Sequence, residues 1–133
     1  MRFLGVDHPA LAANDVEQLA TWYCEVLGYE KWFHHPTGSP QGKPVWMLKA
    51  PDGTLLEIMP KDATPRPERT TWTPGWSHVA FRVADMDAAI RYLDTHGINW
   101  TSEIINAIGG GKVRNALDPD GNMIQILERA GLN

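Results

Sequence analysis

The chain has 133 residues, 43% hydrophobic and 21% charged, with a formal net charge of −4. That balance predicts one folded domain, or two small fused modules, and excludes a disordered chain. The basic residues are scattered and form no stripe, which excludes nucleic acid as the main partner. No run reaches the ~18 apolar residues that a membrane span needs.

The N-terminal "MRFLGVDHPA" is too short and too polar for a signal peptide. With Cys24 as the single cysteine, no internal disulfide is available, so a reducing, cytoplasmic setting is expected. In chain order, "DHPALAA" reads as a short strand. Asn14 is the expected cap of the first helix, with Glu17 closing a capping box. Val16, Leu19, Ala20, Tyr23, Val26 and Leu27 recur at helical spacing, and Gly28 supplies the stop. "YEKWF" is the next strand, with His34 and His35 expected in the loop that follows. "VWMLKA" and "LLEIM" form a hairpin around the Pro51–Gly53 turn.

The segment 60–75 carries four prolines and no apolar period, and reads as a Pro-rich linker. Beyond it, "SHVAFRV" is a strand and Asp85 a helix cap. Ala89, Ile90 and Leu93 mark the buried helix face, and Gly97 ends it. "INWTSEI", "KVRNAL" and "MIQIL" are three further strands. "GGGKVR" at 109–114 lacks the spacing and the hydroxyl of a phosphate loop and reads as a flexible loop. Trp46 and Trp100 stay open between lining a cavity and filling a core.

The order strand, helix, three strands therefore occurs twice, and the landmarks repeat with it. His8 and His78 are 70 residues apart, Gly28 and Gly97 are 69, and Glu57 and Gln125 are 68. The hairpin "PDGTLLEIM" returns as "PDGNMIQIL" with Glu57 exchanged for Gln125. The expected fold is α+β: a single domain over 1–133, made of two βαβββ modules at about 5–60 and 75–130. Strand alternation places His8, Glu57, His78 and Gln125 on the faces turned away from the helices. Two such sheets forming a curved cup would have these four groups near its floor. Arg82 shares the His78 face and is a candidate for holding a substrate carboxylate or phosphate. Two imidazoles and a carboxylate suit a divalent first-row metal, with a side-chain amide oxygen as a weaker fourth ligand.

The doubled βαβββ order, "WYCEVLGYE", "WSHVAFRV" and the paired "PDG" turns resemble the vicinal oxygen chelate superfamily. That group includes glyoxalase I, methylmalonyl-CoA epimerase, extradiol dioxygenases, fosfomycin-resistance enzymes and bleomycin-binding proteins. The resemblance implies a ligand from the first and last strand of each module, hence His8, Glu57, His78 and Gln125 around one Zn, Ni, Fe or Mn ion. It implies a metal-dependent lyase or isomerase of the glyoxalase I type acting on a small oxygenated substrate, in which Glu57, the candidate catalytic residue, or a metal-bound water takes the proton. An Fe(II) dioxygenase and a metal-free, antibiotic-sequestering binder are the alternatives. A homodimer is expected as well, with the modules paired within a chain or swapped between chains.

Overall fold

The computed structural model describes residues 1–131. The chain divides into two compact units, Met1–Pro65 and Arg66–Asn133. The first runs β1 (Ala10–Ala13), α1 (Val16–Leu27), β2 (Glu30–His35), β3 (Val45–Lys49) and β4 (Leu55–Pro60). Its sheet has the order β1-β4-β3-β2, with β1 parallel to β4 and the other pairs antiparallel. The second runs β5 (Val79–Arg82), α2 (Met86–Thr95), β6 (Asn99–Trp100), β7 (Ile105–Asn106), β8 (Gly111–Leu117) and β9 (Met123–Arg129). Its order is β5-β9-β8-β6, again with the first strand parallel to the last. The α+β, doubled βαβββ reading holds.

Helix α1 is built as its periodicity predicts. Val16, Leu19, Ala20, Tyr23 and Val26 are buried, and Leu48, Leu56 and Ile58 of the sheet complete that core. Gly28 closes the helix at φ +79, a left-handed conformation that costs glycine little. The cap differs from expectation. Asp15, not Asn14, is in the extended conformation and accepts from Gln18 N at 3.0 Å. Glu17 sits inside the first turn, and its carboxylate turns outward to Lys31 and the Trp46 indole.

Asp85 caps α2 as expected, accepting from Ala88 N at 2.9 Å, and Glu128 adds a carboxylate to Met86 N at 2.7 Å. Two of the helix's free amide donors are thus satisfied. Met86 and Leu93 are its buried residues, set with Ala116, Ile124 and Ile126. Ala89 and Ile90 are only half-buried.

Three other expectations are corrected. His34 and His35 lie on β2, not in a loop, with His34 stacked on Trp46 across the β2–β3 pair at 4.2 Å. Of the expected strand over "INWTSEI" only Asn99–Trp100 forms (β6), and β7 begins beyond it at Ile105; between them the Ser102 hydroxyl accepts from Asn115 N and its carbonyl from Arg114 Nε. The "GGGKVR" segment is a tight β7–β8 turn, and Gly111 onward is strand. Gly109, Gly110 and Gly111 all have positive φ, and Ala107 N–H donates to Gly111 O at 3.0 Å.

Both tryptophans left open by the sequence fall on the helix side of their sheets. Trp46 pairs with Ile58 and gives its indole N–H to Glu17 Oε2 at 2.6 Å. Trp100 pairs with Ala116, gives its N–H to Asp94 Oδ1 at 2.7 Å and carries Arg114 over its ring at 4.4 Å. In each unit an indole links the sheet to a carboxylate of its own helix.

Candidate functional site

The register of the parallel strand pairs decides which polar groups share a face. In the first unit Ala10 is opposite Glu57, and in the second Ala80 is opposite Gln125. His8 precedes Ala10 by two residues and His78 precedes Ala80 by two, so each pair keeps the same relation. The two hairpins that lead into β4 and β9 have the same geometry. Ala50 and Thr54 close the first, with Gly53 at φ +90; Asp118 and Asn122 close the second, with Gly121 at φ +87. This shared turn sets the register that puts Glu57 and Gln125 at matching places. Behind both lie buried neighbours: Leu56 and Ile58 flank Glu57, and Ile124 and Ile126 flank Gln125. Alternation then turns the two polar side chains to the opposite face.

His8 and Glu57 meet. His8 Nε2 lies 3.0 Å from Glu57 Oε2, and His8 Nδ1 lies 2.7 Å from Asp7 Oδ2. The Asp7 hydrogen bond raises the His8 pKa above its ordinary value. Partial burial opposes that rise, and the charges of Glu57 and Asp7 add to it. Asp7 was not singled out by sequence reasoning. Its signal was a carboxylate directly before a candidate ligand, a pattern too common to stand alone.

In the second unit His78 Nδ1 lies 2.8 Å from Ser77 Oγ, and His78 is exposed. Gln125 is half-buried on β9, opposite Asn115 of β8. The Asn115 Oδ1 is buried and has no hydrogen-bond partner among the described residues. Arg82 is exposed at the end of β5, on the His78 and Ala80 face. Among the described residues, no three His, Cys, Asp or Glu side chains group closely enough to hold a metal. A cleft of about 520 Å³ opens in the first unit between the start of α1, Lys43 and Lys61, away from His8 and Glu57. Among the described residues no helix is long and apolar enough to cross a membrane.

The chain is 25% identical over 131 residues to the uncharacterized protein YaeR of Escherichia coli K12, covering 93% of this chain and 95% of that one. A glyoxalase family protein from Enterococcus faecalis is similar in structure, with a TM-score of 0.79 and 26% identity. The match covers 96% of this chain and all of that one. The trypanothione-dependent glyoxalase I of Leishmania major shares the fold at a TM-score of 0.68 and 21% identity, over 92% of this chain and 84% of that one. The model of the Glyoxalase/Bleomycin resistance protein/Dioxygenase superfamily matches residues 5–126. With that match spanning nearly all of both repeated units, the chain belongs to the Glyoxalase/Bleomycin resistance protein/Dioxygenase superfamily.

Proposed function

We propose that this protein is a metal-dependent enzyme of the glyoxalase I, lyase or isomerase, type, acting on a small oxygenated substrate. The superfamily commonly binds a divalent metal and small molecules. The observation that carries the reading is the meeting of His8 Nε2 and Glu57 Oε2 at 3.0 Å; His78 and Gln125 stand at the matching positions relative to their own strand pair. Two donors each about 2.1 Å from one ion lie roughly 3.0–3.4 Å apart at right to tetrahedral angles, so this pair fits two cis positions of a metal. A neutral ring that gives its Nδ1–H to Asp7 would turn the Nε2 lone pair toward a carboxylate. That arrangement is favourable only with a cation between them, a proton or a metal.

His8, Glu57 and His78 are the proposed ligands, with Gln125 completing the set or standing just outside it. The ion is Zn, Ni, Fe or Mn. Such an ion would supply Lewis acidity toward a substrate carbonyl and so ease loss of the neighbouring proton. Glu57 is the one carboxylate at the four repeat-matched positions, and it is assigned as the base that takes this proton. Arg82 is assigned to a substrate carboxylate or phosphate. With a single base, one-sided proton transfer is favoured over epimerisation, which needs a base on each side. Calorimetric titration with Zn²⁺ or Ni²⁺ tests the reading: wild type binds one ion per ligand set, and His8→Ala and His78→Ala lose it. Equal affinity in all three proteins, or no binding by wild type, would leave a metal-free binding protein as the better reading.

A further inference from the structure

Each candidate histidine has its Nδ1 against the side chain of the residue just before it: Asp7 for His8 at 2.7 Å, Ser77 for His78 at 2.8 Å. The two contacts stand at repeat-matched positions although the partners differ in chemistry. An imidazole binds a metal through an unprotonated nitrogen, and the partner of the other nitrogen selects which one that is. We propose that Asp7 and Ser77 are positioning residues that accept the Nδ1–H of His8 and His78, so that each ring offers its Nε2 lone pair to the site.

Three features support this assignment. His8 Nε2 is the nitrogen that faces Glu57, so the ring is turned with Nδ1 outward, toward Asp7. Both partners are immediate chain neighbours, so holding the ring needs no long-range packing. The partners also differ in strength. A carboxylate makes a charge-assisted bond and raises the ligand's basicity, and a hydroxyl does so much less. His8 is thereby the stronger donor of the two. Where these residues act on metal affinity, the inference rests on the metal reading; where they act on the ring proton, it does not.

The test therefore has two arms. Long-range imidazole ¹H–¹⁵N spectra of the metal-free full chain, at an alkaline pH where both rings are neutral, report which nitrogen holds the proton. His78 is read in the wild type and in Ser77→Ala. His8 is read in Glu57→Gln, where no second carboxylate competes for the proton, with and without Asp7→Ala. The expected result is an Nδ1–H tautomer at both rings, lost on Asp7→Ala and Ser77→Ala and kept in Asp7→Asn and Ser77→Thr, which retain an acceptor oxygen. An Nε2–H tautomer at either ring before the alanine change overturns the proposal, as does a tautomer that ignores it. In the second arm, Zn²⁺ affinity falls about 10- to 100-fold in Asp7→Ala and is largely restored in Asp7→Asn. Undiminished affinity in Asp7→Ala overturns the proposal. A wild type that binds no Zn²⁺ yet shows the expected tautomers overturns the metal reading and upholds the ring orientation.

Discussion

Replacing Gly111 by alanine should be among the most damaging single-methyl additions in this chain. A Cβ at Gly111 would lie 2.0 Å from the backbone oxygen of Glu128, 2.9 Å from Ala130 N and 3.0 Å from Arg129 Cα. None of these is the end of a flexible side chain, so relief requires moving the backbone of β9 or β8 by about 1 Å to restore ordinary contact. That movement pulls apart the Gly111–Arg129 pair at the end of the ladder and the Ala107–Gly111 turn bond. Lost bonds cost about 1 kcal/mol each. The backbone at φ +106 costs a further ~1–3 kcal/mol for a residue with a Cβ. The expected destabilisation is therefore about 3–5 kcal/mol, a large share of the ~5–15 kcal/mol that holds a domain folded. Gly53→Ala is the control, because its φ is +90 but nothing lies within 4 Å of its Cβ; it carries the strain without the overlap. Urea denaturation with unchanged slope should show a much lower midpoint for Gly111→Ala than for Gly53→Ala. Equal midpoints would mean that the strand end yields freely and that the overlap argument is wrong.

Glu57→Gln should weaken Zn²⁺ or Ni²⁺ binding strongly, Gln125→Glu should tighten it, and Gln125→Ala should cost less than His8→Ala or His78→Ala; calorimetry ranks all five. The raised pKa of His8, due first to Asp7, makes protons compete with metal at a higher pH than at an ordinary histidine. Metal affinity measured as pH is lowered should therefore begin to fall at a higher pH than in Asp7→Asn. Glu17 is held below the usual carboxylate pKa, first by Lys31 and then by the Trp46 indole. A lowered folded pKa gives stability that is present above the unfolded value and lost as pH falls through the folded one. Urea midpoints between about pH 6 and pH 3 should thus fall more for wild type than for Glu17→Gln, by less than about 1 kcal/mol because the pair is exposed. Light scattering should give twice the 14.8 kDa chain mass, the homodimer expected from the sequence; a monomer at micromolar concentration refutes it.

The doubled element order and the helix cores were legible because they rest on local periodicity. Val16, Leu19, Ala20, Tyr23 and Val26 are written at 3.6-residue spacing and are buried together. The facing of Glu57 and Gln125 was legible because the "PDG" turn fixes hairpin register, and register fixes face. Contacts between distant segments were not legible. Nothing local to Glu17 says that it will take the Trp46 indole, since that depends on where β3 lies. The bond of the Ser102 hydroxyl, between β6 and β7, likewise depends on its partner Asn115. The overlap that makes Gly111 indispensable involves Glu128, a residue no spacing rule connects to it. The polar residues before each histidine were in plain sight, but only the ring orientation gives them meaning.

The parallel pairing of first strand with last has a consequence for the order of folding. Among the described residues, β1 lies at the edge of its sheet and pairs with β4, at the opposite end of the unit in sequence. Helix α1 and the β2–β3–β4 meander can form from contacts close in sequence, but β1 cannot join until β4 exists. During synthesis, the segment carrying His8 therefore waits until Pro60 has left the ribosome, and His78 waits in the same way for β9. The histidine segments are the last to be fastened in each half, and where the unit opens locally they are the first to come loose. Amide exchange in β1 and β5 should accordingly be faster than in the central strands β3 and β8.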